Sequence, residues 1–283
     1  MNKKVVLITG TNSGFGYLAT IELASKGFFV IATMRDLSKK QALLKEAEQQ
    51  NILDYIEVFA LDVTNEQQIE NVKQHVKAKY EKVDILINNA GYSIGGMTEL
   101  LELSDWKAQF DTNLFGVIAL TKAFLPWMRE NRSGKIINIG SISGRVGFPG
   151  LGPYVSSKFA LAGFSESLRL ELLPFQIHVS LVEAGSYKTA IWGKALGKIN
   201  PTTQSEYDEY MKKIYKEAKR SGEQAADPNE VIQVIVDICD SQNPKFRYPV
   251  GKGIRLTMFL KNLLPSTFFE MIVQRKLRKG NRE

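Results

Sequence analysis

Tyr154 and Lys158 are the two residues of this chain whose types and spacing best suit proton transfer. They lie in a stretch predicted to be helical, where residues four apart share one face about one turn apart. A neighbouring ammonium favours the phenolate and lowers a tyrosine pKa from about 10, so this tyrosine could exchange a proton near neutral pH. Together with a hydride from a nicotinamide cofactor, such a proton transfer is what carbonyl reduction requires. Because the same spacing is common on solvated helix faces, the pair needs the support of other features.

A glycine-rich segment follows the first apolar run and reads TGTNSGFG over residues 9–16. Gly10, Gly14 and Gly16 allow the backbone to turn sharply and to approach an anionic ligand closely. The helix expected after them points its free N–H groups at that ligand, which suits a pyrophosphate. The spacing differs from the Gly-x-Gly-x2-Gly of the commoner dinucleotide motif, and a simple strand-to-helix turn is the alternative interpretation. We predict dinucleotide contacts from the loop residues Gly10, Thr11, Asn12, Ser13, Gly14, Phe15 and Gly16.

The end of the second predicted strand distinguishes NAD from NADP. An acidic residue there would bind the ribose hydroxyls of NAD, whereas a nearby arginine would suit the extra phosphate of NADP. The chain has Met34 where the acid is expected, followed by Arg35, whose guanidinium suits a bidentate phosphate contact. Asp36 weakens this interpretation, since it could pair with Arg35 or serve as the acid one position later. On balance the residues favour NADP(H) over NAD(H) as the cofactor.

The elements that must position these residues alternate between short apolar runs and helical stretches. Continuous apolar runs are typical of strands buried on both faces. A repeated strand–helix–strand order requires parallel strands with helices on both faces. We therefore predict an α/β fold, a doubly wound Rossmann-type parallel sheet in a single domain, with ligands bound at the carboxyl ends of the strands. The predicted strands are 4–8, 28–33, 56–61, 83–88, 135–139 and 177–182, and the predicted helices are 17–26, 38–50, 65–80, 105–130 and 154–173.

Polar motifs follow the remaining strand ends, and the whole set resembles the motifs of the short-chain dehydrogenase/reductase family. The resemblance runs from about residue 4 to residue 251 and is nearest to hydroxysteroid and retinol dehydrogenase-like members. It rests on the glycine loop, Asp62-Val63, Asn88-Asn89-Ala90-Gly91, Asn113 within DTNLFG, Ser141, and the pair Tyr154 and Lys158 within YVSSK.

The resemblance implies a role for each of four residues at one active site. Tyr154 would be the general acid in reduction and the base in oxidation, and Lys158 would lower the tyrosine pKa and hold the nicotinamide ribose. Ser141 would hydrogen-bond the substrate oxygen and stabilise charge developing there. Asn113 would anchor a water in a proton relay to Lys158. The resemblance also implies cofactor contacts from Asp62, Val63, Asn89, Ala90, Gly91, Gly185 and Thr189.

Two positions depart from the family's pattern. The family usually has Pro-Gly after the sixth strand, and this chain has Glu183-Ala184-Gly185 there. Losing the proline removes rigidity but leaves the backbone contacts available, so we expect the cofactor pocket to be retained. The second departure is Ser13, where many NADP-dependent members carry a basic residue. The NADP preference therefore depends largely on Arg35, with help from Asn12.

Residues 186–226 follow the sixth strand and should cap the active site. Within them Tyr207, Met211 and Tyr215 recur at helical spacing. They would either line a pocket or form the apolar stripe of a surface helix. Since most of the pocket candidates are apolar, we predict a small hydrophobic alcohol or carbonyl substrate. The candidate substrate contacts are Ser141, Ser93, Phe148 and Trp192.

Charge separates a catalytic domain, residues 1–252, from a basic C-terminal extension, residues 253–283. The net charge is +7, and the segment from residue 245 onward holds ten Lys/Arg and two Asp/Glu, so the rest of the chain is nearly neutral. This distribution argues against a nucleic-acid surface, which would spread basic residues across the fold. An apolar and basic helix pair in the extension could lie on a membrane surface. The alternative is a helix packed beside the pocket or against a partner subunit.

The sequence therefore predicts an NAD(P)(H)-dependent oxidoreductase that interconverts an alcohol and its carbonyl. A catalytically silent, dinucleotide-sensing binding protein on the same fold is the alternative, and a nucleotide-sugar epimerase fits less well because its glycine spacing differs. We expect no metal site, and Cys239 should be a core residue rather than a nucleophile. The start of the chain does not resemble a signal peptide and no long uncharged apolar run occurs, so we expect a cytoplasmic location. We also expect a homo-oligomer, either a dimer or a tetramer.

Overall fold

A computed structural model describes residues 3–189 and 206–279 of the chain. The strands in this part are β1 Val5–Thr9, β2 Phe29–Met34, β3 Ile56–Ala60, β4 Ile85–Asn88, β5 Gly134–Ile139, β6 Ile177–Ala184 and β7 Arg247–Val250. They form one seven-stranded sheet in the order β3-β2-β1-β4-β5-β6-β7. All of the pairings are parallel. The predicted doubly wound sheet is therefore confirmed.

Helices cover both faces of this sheet. Their bounds are α1 Gly14–Ser25, α2 Lys40–Gln49, α3 Glu66–Tyr80, α4 Leu103–Phe110, α5 Gly116–Glu130, α6 Gly152–Leu172, α7 Asp208–Glu223, α8 Asn229–Asp240, α9 Ile254–Leu263 and α10 Ser266–Lys279. In β1, Val6 and Ile8 pack into the layer under α1, α2 and α8, whereas Val5 and Leu7 pack into the layer under α3, α5 and α6. A strand buried on both faces must be apolar at every position, which explains its continuous apolar sequence. Cys239 is buried in the first of these layers, as predicted.

Strand β7 was not among the predicted strands. It pairs with β6 at the edge of the sheet, with Leu181 opposite Arg247 and Ala184 opposite Val250. Its four residues include Pro249, which cannot donate a backbone hydrogen bond and is tolerated only where one side of a strand is unpaired. A short edge strand with a proline therefore lacks the apolar run by which the other strands were recognised.

The long helix predicted over residues 105–130 is interrupted. One π-helical turn, Asp111–Phe115, separates α4 from α5. Such turns insert an extra residue and often occur at functional sites. Here the turn buries Asn113. No residue type marks the position of a π turn, so periodicity alone predicted a continuous helix.

The C-terminal part of the fold surrounds the carboxyl end of the sheet. In α7, Met211 and Ile214 are buried and Tyr215 is exposed, so the apolar stripe expected through Tyr207, Met211 and Tyr215 is wrong by one position. The other interpretation, that these three residues line a pocket, is also wrong, because Ile214 and none of the three lines the cavity described below. Across residues 3–189 and 206–279, none of the helices combines the length and apolarity that crossing a bilayer would require.

Candidate active site

A cavity of about 1220 Å³ opens at the carboxyl ends of the strands. Strand order reverses beside β1, because β2 lies on one side of it and β4 on the other. In doubly wound sheets ligands bind at this reversal. The cavity reaches from the glycine loop, past the ends of β4, β5 and β6, to the C-terminal helices.

Five residues of the predicted glycine loop line the cavity, and two do not. Gly10 and Gly14 adopt φ values of 71° and 59°, which glycine reaches without strain. Thr11 is buried and donates its hydroxyl to the Thr33 carbonyl oxygen at 3.1 Å. Gly16 is also buried, and a Cβ there would lie 2.4 Å from the Gly10 carbonyl oxygen. The loop residues that line the cavity are Gly10, Asn12, Ser13, Gly14 and Phe15.

The end of β2 brings three charged side chains to the same cavity. Arg35, Asp36 and Lys39 line it. Asp36 accepts hydrogen bonds from the Ser38 backbone N–H at 3.0 Å and the Ser38 hydroxyl at 2.7 Å, and it lies 3.5 Å from Lys39. These hydrogen bonds and the lysine lower the pKa of the Asp36 carboxyl. Asp36 is thus engaged within its own turn, and Lys39 is a second cation that the sequence analysis missed.

The next two strand ends contribute five of the residues for which the resemblance implies cofactor contacts. Asp62 and Val63 line the cavity after β3, and the Asp62 carboxylate accepts from the Thr64 backbone N–H at 3.0 Å. After β4, the Asn89 side-chain amide donates to the carbonyl oxygens of Thr9 at 2.7 Å and Gly10 at 3.1 Å. Asn89 therefore fixes the start of the glycine loop, in addition to lining the cavity with Ala90 and Gly91.

Ser141, Tyr154 and Lys158 lie together on the cavity wall. Ser141 follows β5, and its Oγ accepts a hydrogen bond from the Ser143 backbone N–H at 3.1 Å. Tyr154 lies in the first turn of α6, and Lys158 follows one turn later, with its Nζ 5.9 Å from the centre of the tyrosine ring. Lys158 is buried and donates to the Ile139 carbonyl oxygen at 2.8 Å. Ser141 and Tyr154, which are distant in sequence, thus meet because the end of β5 lies next to the start of α6.

Burial has the largest effect on the pKa values of this pair. It lowers the pKa of Lys158 to about 8, because desolvation disfavours the ammonium. It raises the pKa of Tyr154, whereas a side-chain hydrogen bond from Ser141 lowers it. The raising effect of burial is thus the larger one, and the lowered tyrosine pKa that we expected beside Lys158 is not found in this structure.

Asn113 does not line the cavity directly. Its Nδ2 donates to the Tyr92 carbonyl oxygen at 3.0 Å and to the Ser157 Oγ at 3.1 Å, and its Oδ1 accepts from the Tyr92 backbone N–H at 3.1 Å. The side chain joins the segment after β4 to α6, one residue before Lys158. Both polar atoms of the Asn113 side chain thus already have hydrogen-bond partners within the protein.

Glu183, which directly precedes Ala184-Gly185 where the family usually has Pro-Gly, is the centre of a buried ion-pair network. Only 1% of its side chain is exposed. Its Oε1 accepts from Arg145 Nε at 2.8 Å and from Arg247 Nη1 at 2.7 Å. Arg145 lies four residues after Ser141, so the carboxylate connects the serine turn to β7. Sequence reasoning noticed the missing proline but gave no sign of these partners, which come from two other elements.

The substrate end of the cavity combines predicted residues with residues that the sequence analysis missed. Ser93 is buried and Phe148 is partly exposed, and both line the cavity, as do Gly185 and Thr189. Trp192 lies outside the described residues. The missed residues come from α9 and α10 and the turn between them, namely Thr257, Leu260, Leu264, Phe268, Phe269, Ile272 and Val273. The described part of the C-terminal extension therefore packs beside the pocket, which is one of the arrangements that the sequence left open.

Known proteins match this chain along most of its length. A family model described as short chain dehydrogenase matches residues 4–199. An oxidoreductase of Bacillus subtilis (strain 168), YusZ, is 48% identical over 280 residues, which cover 98% of this chain and 99% of that protein. Human retinol dehydrogenase 8 is 38% identical over 253 residues, 86% of this chain and 80% of the human protein.

Solved structures give the same match. A short-chain dehydrogenase from Streptomyces avermitilis has a TM-score of 0.79 at 30% identity, with 100% of both chains covered. A serine dehydrogenase complexed with NADP⁺ has a TM-score of 0.75 at 27% identity, covering 87% of this chain and 94% of the other.

Proposed function

The chain belongs to the short-chain dehydrogenase family, and from that premise we propose that it is an NADP(H)-dependent oxidoreductase interconverting an alcohol and its carbonyl. The observation that carries this proposal is a single cavity that joins the glycine loop to Ser141, Tyr154 and Lys158. A proton donor and a dinucleotide cradle in one cavity are the two parts that carbonyl reduction requires.

The chain's residues fit a dinucleotide. Gly10 and Gly14 leave the cradle open at the N-terminus of α1, where free N–H groups would hold the pyrophosphate. Arg35, supported by Lys39, would hold the 2′-phosphate, and Asp62 with Val63 would hold the adenine. When bound, the cofactor supplies the hydride or accepts it. Toward the nicotinamide, the contacts would come from Asn89, Ala90, Gly91, Gly185 and Thr189.

Tyr154 would hold and move the proton. A tyrosine of ordinary pKa, about 10, already carries its proton at neutral pH, and burial raises the pKa of Tyr154 further, so the phenol can donate to the substrate oxygen as that oxygen becomes a hydroxyl. The Lys158 ammonium, 5.9 Å from the ring, would stabilise the phenolate that remains. In the direction of oxidation the phenolate would take the proton back.

Ser141 and Asn113 would orient these groups. The Ser141 oxygen accepts from the Ser143 N–H, and its hydroxyl, which hydrogen-bonds Tyr154 in this structure, would turn to donate its proton to the substrate oxygen. Asn113 would act as a positioning residue, since its amide fixes Ser157 beside Lys158. Thr11 and Gly16 would shape the cradle without touching the cofactor.

The direct test follows NADPH absorbance with a panel of steroid, retinoid, aliphatic and aromatic carbonyls. We expect NADPH oxidation with at least one member. Tight NADPH binding without oxidation by any of them would overturn the proposal and favour the silent dinucleotide-sensing alternative.

The pH profile of reduction should follow Lys158. With a pKa of about 8, its ammonium is present below that pH and is lost above it. Without the ammonium, the phenolate left on Tyr154 is not stabilised, so we expect kcat/KM to fall about tenfold per pH unit above this pKa. Steady-state rates between pH 6 and about 10, with a substrate that does not ionise, measure it. In Lys158→Arg the guanidinium stays charged, so the descending limb should vanish. If the rate fell with the same midpoint pH in Lys158→Arg and in the unmodified protein, the descending limb would not be due to Lys158.

Arg35 should control the choice between NADPH and NADH. We expect Arg35→Ala to weaken NADPH binding about tenfold, the size of one charge-assisted contact, and to leave NADH binding unchanged. Fluorescence titration of each nucleotide measures both affinities. Lys40→Ala is the matched control, because it removes the same charge nearby at a residue that does not line the cavity. Equal losses for both nucleotides, or tighter binding of NADH by the unmodified protein, would count against an NADP preference.

We propose a small hydrophobic substrate because apolar side chains dominate the far end of the cavity. Leu151, Ile214, Leu260 and Leu264 line that end, with Glu217, Ser221 and Thr257 as polar neighbours. Retinol dehydrogenase 8 carries the name of a hydrophobic alcohol and is a relative of this chain.

The remaining proposals concern organisation. Residues 1–252 would carry the chemistry, residues 186–226 would cap the site, and residues 253–283 would form the extension. We further propose a homo-oligomer, a dimer or a tetramer, in the cytoplasm. Exposed Leu103, Phe115 and Phe159 offer an apolar surface for a subunit contact, and light scattering would give the number of subunits.

A further inference from the structure

The hairpin of α9 and α10 has an inner and an outer face. Thr257 and Leu260 on the inner face of α9, and Leu264 directly after the helix, line the cavity at a three- and four-residue spacing. Phe269 and Val273 of α10 do the same. The hairpin is therefore a wall of the substrate end of the cavity.

The outer face of the hairpin is apolar and exposed. Leu256, Phe259 and Leu263 repeat at helical spacing one position before the inner residues, and they are 61%, 62% and 67% exposed. Met271 on α10 is 60% exposed. We call these four residues the outer hairpin face. Large apolar side chains grouped in this way usually mark a contact surface.

Positive charge surrounds the outer hairpin face. Lys252, Arg255 and Arg275 are exposed on or beside the two helices, and Glu270 is the one acidic residue between positions 251 and 279. Further along the sequence come Lys276, Arg278 and Lys279. Apolar side chains flanked by Lys and Arg match the interface of a bilayer with anionic headgroups. Lysine is depleted at protein–protein interfaces, so Lys252, Lys276 and Lys279 favour a lipid surface over a protein partner.

The hairpin is attached to the catalytic end of the molecule. Ile254, at the start of α9, is buried and packs over Gly185, where an added Cβ would lie 2.6 Å from its Cδ1. Lys261 donates to the Arg145 carbonyl oxygen, four residues after Ser141, and its Nζ lies 5.3 Å from the Phe159 ring centre. The outer hairpin face is thus held next to the site rather than on a separate tail.

We propose that the outer hairpin face docks on an anionic lipid surface, and that the apolar substrate enters the cavity from the lipid past α9 and α10. The docking part stands on the exposed apolar residues and the surrounding charge. The part about substrate entry rests on the proposed oxidoreductase function. The hairpin would face the lipid on its outer side and lines the cavity on its inner side. An apolar substrate could therefore pass from the lipid to the cavity over a short distance without entering water.

Vesicle sedimentation of the full chain tests the docking. We expect binding to vesicles of phosphatidylcholine mixed with phosphatidylglycerol, little binding to phosphatidylcholine alone, and release at about 1 M salt, where charges are screened within about 3 Å. Leu263→Glu should weaken binding about tenfold or more, because a carboxylate would meet both the apolar layer and the anionic headgroups. Leu53→Glu is the matched control, since Leu53 is 41% exposed on the turn before β3, at the opposite edge of the sheet.

Several results would overturn the docking surface. One is the absence of binding to anionic vesicles, and another is equal binding by Leu263→Glu and the unmodified chain. A third is that the unmodified chain does not bind vesicles, while light scattering shows that Leu263→Glu changes an oligomer into a monomer. In that case a second copy covers the face.

Activity assays separate this inference from the proposed function. We expect Leu263→Glu to reduce a water-soluble short-chain ketone at the unmodified rate, and to reduce an apolar carbonyl embedded in anionic vesicles about tenfold more slowly. Equal rates on the embedded carbonyl would overturn the entry route. Failure of every carbonyl, soluble or embedded, would overturn the oxidoreductase proposal and leave the vesicle-binding result intact.

Discussion

Replacing Tyr154 by Phe is expected to lower kcat for carbonyl reduction by about 10²- to 10⁴-fold, the usual contribution of a positioned general acid. The change removes one hydroxyl and keeps the ring that packs in the first turn of α6. Lys158 keeps its hydrogen bond to the Ile139 carbonyl oxygen, and Ser141 keeps the one from Ser143. The cradle for the dinucleotide is untouched, so we expect NADPH binding to stay within about twofold.

The measurement pairs single-turnover reduction rates with an NADPH titration of the same protein. Tyr17→Phe is the matched control, because the Tyr17 hydroxyl donates to the Ala42 carbonyl oxygen at 3.3 Å and does not line the cavity. It should reduce carbonyls at the unmodified rate. If Tyr154→Phe did so as well, the proton would come from another group and the mechanism proposed above would be wrong.

The sheet was predictable because parallel strands are buried on both faces. Val5, Val6, Leu7 and Ile8 alternate between the two layers of the core, so the sequence must be apolar at each step. Motifs at the carboxyl ends of such strands must lie along one edge. This is why residues that follow six different strands could be assigned to one site without coordinates.

What the sequence could not supply depends on packing between distant segments. Lys39 reaches the cavity only because the turn after β2 folds back. The partners of Glu183 come from the serine turn and from β7. Likewise the wall formed by α9 and α10 follows from where the extension returns to the body. Thr11 and Gly16 were predicted to contact the cofactor but do not line the cavity. The position of a residue in the loop does not tell whether it faces the cavity or the protein interior.

Gly16 should be the least replaceable residue of the cradle. An added Cβ would lie 2.4 Å from the Gly10 carbonyl oxygen and 2.5 Å from the Asn89 amide nitrogen. These neighbours cannot give way independently, because the same Asn89 amide already bonds the carbonyl oxygens of Thr9 and Gly10. Gly16→Ala must therefore push the loop away from β4. Overpacking of this kind costs about 1–3 kcal/mol, so we expect NADPH binding to weaken about 10- to 100-fold and the melting temperature to fall.

Gly163→Ala provides the matched control for this prediction. Gly163 also lies within a helix, and an added Cβ would find no atom within 4 Å. There the substitution should raise the melting temperature, because alanine is favoured over glycine in a helix interior by about 0.5–1 kcal/mol. The same chemical change should thus have opposite effects at two helical positions, and only one of them should alter nucleotide affinity. Unchanged NADPH binding in Gly16→Ala would mean that the contact between the glycine loop and Asn89 does not shape the cofactor cradle.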